Sequence, residues 1–112
     1  MAQITIPKQI IFYQDAIGHE PFNDWLDSLR APKTRRRILS RFLRIQSGNF
    51  GDCKSLKDGV FELRIPYGPG YRVYFGEDGD TLVVVLCGGD KSSQTQDIKT
   101  AKACWKEYIG HA

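Results

Sequence analysis

Val60-Phe61-Glu62-Leu63-Arg64-Ile65 and Tyr71-Arg72-Val73-Tyr74-Phe75 are two alternating runs joined by Pro66-Tyr67-Gly68-Pro69-Gly70. Successive side chains of a strand point to opposite faces, so Phe61, Leu63 and Ile65 share one face of the first run, and Tyr71, Val73 and Phe75 share one face of the second. Pairing the runs as a hairpin puts both apolar sets on one side only in registers that differ by even steps. Arg64 and Arg72 must then share the other side, directly opposite or one diagonal apart. Two guanidiniums so placed repel unless an anion lies between them. A phosphate is one such anion. Glu62, on the same face, is the other, and would make an ordinary ion-pair network of small energetic worth.

Reading outward, Gly76-Glu77-Asp78-Gly79-Asp80 leads to Leu82-Val83-Val84-Val85-Leu86-Cys87, apolar throughout and therefore expected to be buried on both faces. Upstream, Gly48, Asn49 and Gly51 open a loop through Cys53 and Lys54. The loop follows a helix predicted from Lys33 to Ser47, with Ile38, Leu39, Phe42, Leu43 and Ile45 on one broad face and Arg37, Arg41 and Arg44 on the opposite side. A shorter helix starts at Pro21, carries Phe22, Trp25, Leu26 and Leu29 at helical spacing, and closes near Ala31-Pro32. Ile10 to Tyr13 reads as a strand. Downstream, Gly88-Gly89-Asp90-Lys91 turns into a last helix opened by a Ser93/Gln96 capping box, with Ile98, Ala101, Trp105 and Tyr108 on one stripe. The order β-α-α-β-β-β-α implies an α+β fold, a small antiparallel sheet with helices packed on one face.

The 112 residues suffice for a single domain over 1–112, and 41% hydrophobic with 26% charged residues is ordinary globular usage, far from that of disordered chains. The net charge of +3 understates a segregation: Asp15, Glu20, Asp24 and Asp27 precede Lys33, Arg35, Arg36, Arg37, Arg41 and Arg44. A basic surface of this kind fits a polyanion or an acidic partner, although a solvated helix face looks the same. Cys53, Cys87 and Cys104 are odd in number and lack C-x-x-C spacing, which argues against a disulfide framework or a zinc site. The residues Met1 to Pro7 have no charged flank and no long apolar run, and no stretch approaches the ~20 apolar residues of a membrane span. A cytoplasmic protein with no membrane association is expected.

The residues with chemistry are basic. Lys57, Arg64, Arg72 and Lys91 are expected to line a groove, with Lys54 entering from the other side and Tyr74 or Tyr67 available to stack a base, an arrangement suited to single-stranded nucleic acid. The stripe of Arg37, Arg41 and Arg44 would meet RNA or an acidic protein segment equally well. No nucleophile elbow, P-loop or metal-ligand cluster is present, and the histidines are only His19 and His111, so neither metal nor small-molecule cofactor is expected. If RNA is cut, the economical route is attack by its own 2′-OH on the adjacent phosphate, which needs positioning and charge stabilisation more than a protein nucleophile. Arginine stays protonated and cannot be the base. Lys57 or Lys91 could take the proton, and so could Glu62.

The paired helices with Trp25, the Arg-rich second helix, Leu56-Lys57-Asp58-Gly59-Val60-Phe61-Glu62-Leu63-Arg64, Gly70-Tyr71-Arg72-Val73-Tyr74-Phe75 and Leu86-Cys87-Gly88-Gly89-Asp90-Lys91 come in an order that resembles the RelE/ParE toxin superfamily. The resemblance is to its HigB-like, phage Gp49-like branch of addiction-module killer proteins. It implies a sheet cradled by helices and the toxin of a type II toxin-antitoxin pair. It further implies a metal-independent endoribonuclease that cleaves messenger RNA at the ribosome, held inactive by a cognate antitoxin, often a helix-turn-helix protein. Residues matching Arg64, Arg72 and Lys91 are those the resemblance places at the scissile phosphate. A gyrase-poisoning activity of the ParE kind, or a non-catalytic binding module, uses the same fold and stays open at this point.

Overall fold

The computed structural model describes residues 6–110, so His111 and the reading of the segment before Ile6 lie outside the described residues. The elements run β1 (Gln9–Phe12), α1 (Pro21–Ser28), α2 (Pro32–Gln46), β2 (Cys53–Ser55), β3 (Val60–Ile65), β4 (Tyr71–Asp78), β5 (Leu82–Gly89), a 3-10 turn at Lys91–Ser93, and α3 (Gln94–Gly110). The five strands form one sheet in the order β1-β5-β4-β3-β2. Neighbouring strands are antiparallel except β1 and β5, which pair in parallel from Gln9↔Leu82 to Phe12↔Val85.

Three expectations change. The sheet is mixed rather than purely antiparallel, because the chain leaves β1 through two helices and pairs it only with the last strand. The expected order lacks one strand. Cys53 and Lys54, read as loop, belong to β2, which has no alternating pattern of its own and exists by pairing with Leu63, Glu62 and Phe61. The helices also cover both faces of the sheet. On one side Phe22 and Leu26 of α1 and Ile38, Phe42 and Ile45 of α2 pack on Leu63, Ile65, Val73, Phe75, Val83 and Val85. On the other, Ala101 and Trp105 of α3 pack on Val60, Tyr74, Val84, Leu86 and Cys87. This double cover is what the unbroken apolar run of β5 needs, since Val83 and Val85 face one layer and Val84 and Leu86 the other. Each fully buried aliphatic or aromatic side chain contributes roughly 1.5–3 kcal/mol relative to exposure.

Helix α2 starts at Pro32, whose missing N–H costs nothing in a first turn. Its burial stripe is rotated from the one expected. Ile38, Arg41, Phe42 and Ile45 are buried, whereas Leu39 and Leu43 are exposed. Arg41 lies three residues after Ile38 and four before Ile45, so helical geometry turns it inward. There its guanidinium donates from Nη1 to the Arg64 carbonyl (2.6 Å) and from Nη2 to the Phe50 carbonyl (3.1 Å). Arg41 is therefore a strut between α2 and the sheet, unlike its exposed neighbours Arg37 and Arg44.

At α3 the capping pair is Asp90 with Ser93, one turn earlier than expected. Ser92 N donates to Asp90 Oδ1 (2.8 Å) and Asp90 N to Ser93 Oγ (3.3 Å). The stripe of Ile98, Ala101, Trp105 and Tyr108 faces the sheet as expected. Trp105 fits because β4 has no side chain beneath it at Gly76: a Cβ there would sit 2.4 Å from ring carbons Cε3 and Cζ3. Between Tyr74 and Phe75 the β4–β5 ladder slips, passing from Tyr74↔Cys87 to Phe75↔Val85, a bulge at Leu86.

Candidate nucleic-acid interface

The β3–β4 register sets Arg64 directly opposite Arg72, with Glu62 opposite Tyr74 one step inward on the same face. An even register was required by the two alternating runs. The carboxylate of Glu62 is fully buried between the two guanidiniums: Arg64 Nε donates to Oε1 (3.2 Å), and Arg72 Nε lies 3.7 Å from Oε2. Gln94, the first residue of α3, donates from Nε2 to Oε2 (2.9 Å). Lys54 stands across the β2–β3 pair from Glu62. Burial alone would raise the Glu62 pKa, but the hydrogen bonds from Gln94 and Arg64 and the charge of Lys54 outweigh it and hold the carboxyl below its ordinary value. Glu62 is thus an ionised anchor with both oxygens engaged.

The two arginines differ in exposure. The Arg64 side chain is 41% exposed and the Arg72 side chain 13%. Among the described residues Arg64 makes its only side-chain hydrogen bond through Nε, which leaves both Nη groups to the solvent side. Arg72 Nη1 donates to the Gly70 carbonyl (2.7 Å). Gly70, at φ 79°, is in the left-handed region that suits glycine, and a Cβ there would lie 3.2 Å from Arg72 Nη1 and 3.7 Å from Lys91 Cβ. Lys91 is thereby placed at the same end of the sheet as Arg72. Asp90 beside it is held below the usual carboxylate range by the Ser92 hydrogen bonds, with the charge of Arg72 adding to the effect. A cleft lined by Asp52, Arg64, Ile65, Pro66, Gly70, Tyr71 and Arg72 opens over this end.

The remaining expected site residues divide. Tyr74 is fully buried under α3, in the cluster with Trp105, so it cannot stack a base from solvent. Burial first, and then the neighbouring Glu62 carboxylate, push its phenol far above the ordinary value. Lys57 lies in the tight turn between β2 and β3, beyond Val60, and Val60 is itself four strand positions from Arg64, or roughly 13 Å at 3.3 Å per residue. It does not join the arginines. Lys57 and Asp58 adopt left-handed backbone (φ 70° and 54°), and the turn is tied to α3 by the Asp58–Lys102 ion pair at 3.3 Å.

Arg37, Arg41, Arg44 and Tyr67 meet in a second cleft, of about 330 Å³, completed by Ser40, Gly51, Asp52, Ile65 and Pro66. The Arg37 guanidinium carbon sits 4.3 Å from the centroid of the Tyr67 ring. Two contributions escaped sequence reasoning. Gln94 gave no signal, being a polar residue at a helix start. The inward turn of Arg41 did give one, in its spacing from Ile38 and Ile45. Among the described residues no group of His, Cys, Asp or Glu gathers to hold a metal ion, and no helix is long and apolar enough to cross a membrane.

A family model described as phage-derived protein Gp49-like matches residues 24–106, a span that contains every residue lining the two basic clefts. An uncharacterised protein of Haemophilus influenzae is 51% identical over 86 residues, which cover 77% of this chain and 87% of the relative.

Proposed function

The chain belongs to the Gp49-like family of phage-derived proteins, commonly toxins of toxin–antitoxin modules, and on that premise we propose that it is the toxin of a type II pair, of the RelE/ParE, HigB-like kind, that cleaves messenger RNA on the ribosome. The observation that carries the reading is the pair Arg64–Arg72, face to face at a sheet end and backed by one buried carboxylate. Glu62 orients the guanidiniums from behind, and the Nη groups of Arg64 remain for a phosphate in front. The substrate's 2′-OH attacks the adjacent phosphorus, the 5′ oxygen leaves, and the charge that builds on the non-bridging oxygens is met by Arg64 and Arg72. Glu62 is not the base: its oxygens are occupied and its pKa is depressed. Lys91, exposed beside Arg72, is the side chain left to exchange a proton with the reacting oxygens. The partners of this reading are the ribosome, the message and a cognate antitoxin, and the site of action is the cytoplasm.

The test is brief induction of the wild type and of Arg72→Ala in bacteria, with growth and transcript ends followed in the same cultures. Loss of one charge-stabilising group in reactions of this kind lowers the rate by about 10²–10³. Growth arrest with new transcript ends in the wild type alone is the expected result. Arrest with uncut transcripts and damaged DNA would replace the reading by gyrase poisoning, and arrest that persists in Arg72→Ala would remove the arginine pair from the active site.

A further inference from the structure

We propose that the cleft between α2 and the Pro66–Gly70 loop is a second RNA subsite, which takes a nucleotide flanking the phosphate at Arg64 and Arg72; the inference rests on reading that sheet end as an RNA site. The two clefts share Asp52, Ile65 and Pro66, so they adjoin at the end of β3. A strand leaving the Arg64–Arg72 end in this direction enters a cleft where the guanidiniums of Arg37, Arg41 and Arg44 face the single carboxylate of Asp52. Among the described residues none of these three arginines is in an ion pair. Arg41, 6% exposed, is tied to carbonyl oxygens alone, which leaves its full charge in the wall of the cleft. Exposed Arg37 is backed by the ring of Tyr67 and offers the outer face of a planar cation to a nucleobase. Arg44 and the Ser40 hydroxyl supply donors for a phosphate. A planar stacking surface next to unpaired guanidiniums, adjoining a phosphate site, matches the repeating chemistry of a single strand, in which base and phosphate alternate.

The experiment measures binding of fluorescent RNA blocked by 2′-O-methyl groups, in lengths of about three and about nine nucleotides, the latter within the site sizes of single-strand binders. The proteins are the wild type, Arg37→Ala/Arg44→Ala, Tyr67→Leu, Tyr67→Phe and Arg72→Ala, each with its fold checked by circular dichroism. In the wild type the longer RNA binds more tightly. The double variant loses that gain, by about ten-fold or more, while its affinity for the short RNA is unchanged. Its dependence of log K on log salt falls by about 0.7, the value for the one single-strand phosphate contact, at Arg44, that is removed. Tyr67→Leu loses part of the gain and Tyr67→Phe restores it. Unchanged long-RNA affinity and salt slope in the double variant, with binding still lost in Arg72→Ala, overturn the second subsite and leave the Arg64–Arg72 reading standing. Failure of the wild type to bind RNA of either length overturns that reading and the subsite with it. Unchanged RNA binding together with lost affinity for an acidic peptide assigns the cleft to a protein partner instead.

Discussion

Replacing Arg41 by methionine separates a structural arginine from its two exposed neighbours on the same helix. Methionine keeps much of the side chain's length and removes the fork that holds the Arg64 and Phe50 carbonyls at 2.6 and 3.1 Å. Hydrogen bonds with one charged partner contribute about 1.5–3 kcal/mol each, so two give about 3–6 kcal/mol. Against this, the variant escapes the cost of holding a cation out of water beside Arg44, the two causes that lower the Arg41 pKa. A net loss of about 3 kcal/mol remains, a large part of the 5–15 kcal/mol typical of a small protein. Equilibrium unfolding in urea, with Arg37→Ala and Arg44→Ala as controls, reads the difference, because surface substitutions stay within about 0.5 kcal/mol. Arg41→Lys tests the geometry: it keeps the charge but cannot bridge two carbonyls in a fixed fork, and recovers less than half of the loss. If Arg41→Met unfolds at the same urea concentration as Arg44→Ala, with the same slope, the strut is wrong and Arg41 belongs with the surface charges.

The folded pKa of Glu62 lies below its ordinary value of 4.5, so its contribution to stability is fully present above the unfolded pKa and is lost as pH falls through the folded pKa. Melting temperatures measured between about pH 7 and 3 should therefore fall less steeply on acidification for Glu62→Gln than for the wild type, and parallel curves would show that the buried carboxylate gains nothing from its partners. For Gly76→Ala, the Cβ would meet the Trp105 ring at 2.4 Å, an overpacking cost of about 1–3 kcal/mol that calorimetry would record as a lower melting temperature. Combined with Trp105→Leu, the glycine substitution should cost much less than it does alone, and strict additivity would refute the contact.

The opposition of Arg64 and Arg72 is legible in the sequence because alternation leaves a hairpin so few registers. The double cover of the sheet was missed in favour of helices on one face: the run from Leu82 to Cys87 has no polar side to give to water, but the stripe of Ile98, Ala101, Trp105 and Tyr108 does not say which face it will cover. Strand β2 was not legible: Cys53-Lys54-Ser55 carries no pattern, and its hydrogen bonds come from β3. At Tyr74, alternation gives the correct face and the wrong exposure, because α3 buries Tyr74 completely, a tertiary contact that the strand's own pattern does not contain. Arg37, Arg41 and Arg44 look equivalent by residue type, and only their angles relative to Ile38 and Ile45 distinguish the strut from the surface. Gln94 meets Glu62 across 32 positions of chain, a contact that local patterning does not encode.

The parallel pairing of β1 with β5 joins residues more than seventy positions apart, and it also dictates an order of assembly. Closing so long a loop has an entropic cost that must be met before the pairing returns anything. During synthesis from the N-terminus, β1, α1 and α2 emerge with no sheet to bury their apolar sides, while the β3–β4 hairpin that carries the arginine pair can close locally. The carboxylate behind that pair is not fixed until Gln94 arrives at the head of α3. Alignment of the arginine pair is in this way deferred until α3 is made, and a nascent fragment that stops short of α3 would carry the arginines without the Gln94 contact that fixes their anchor.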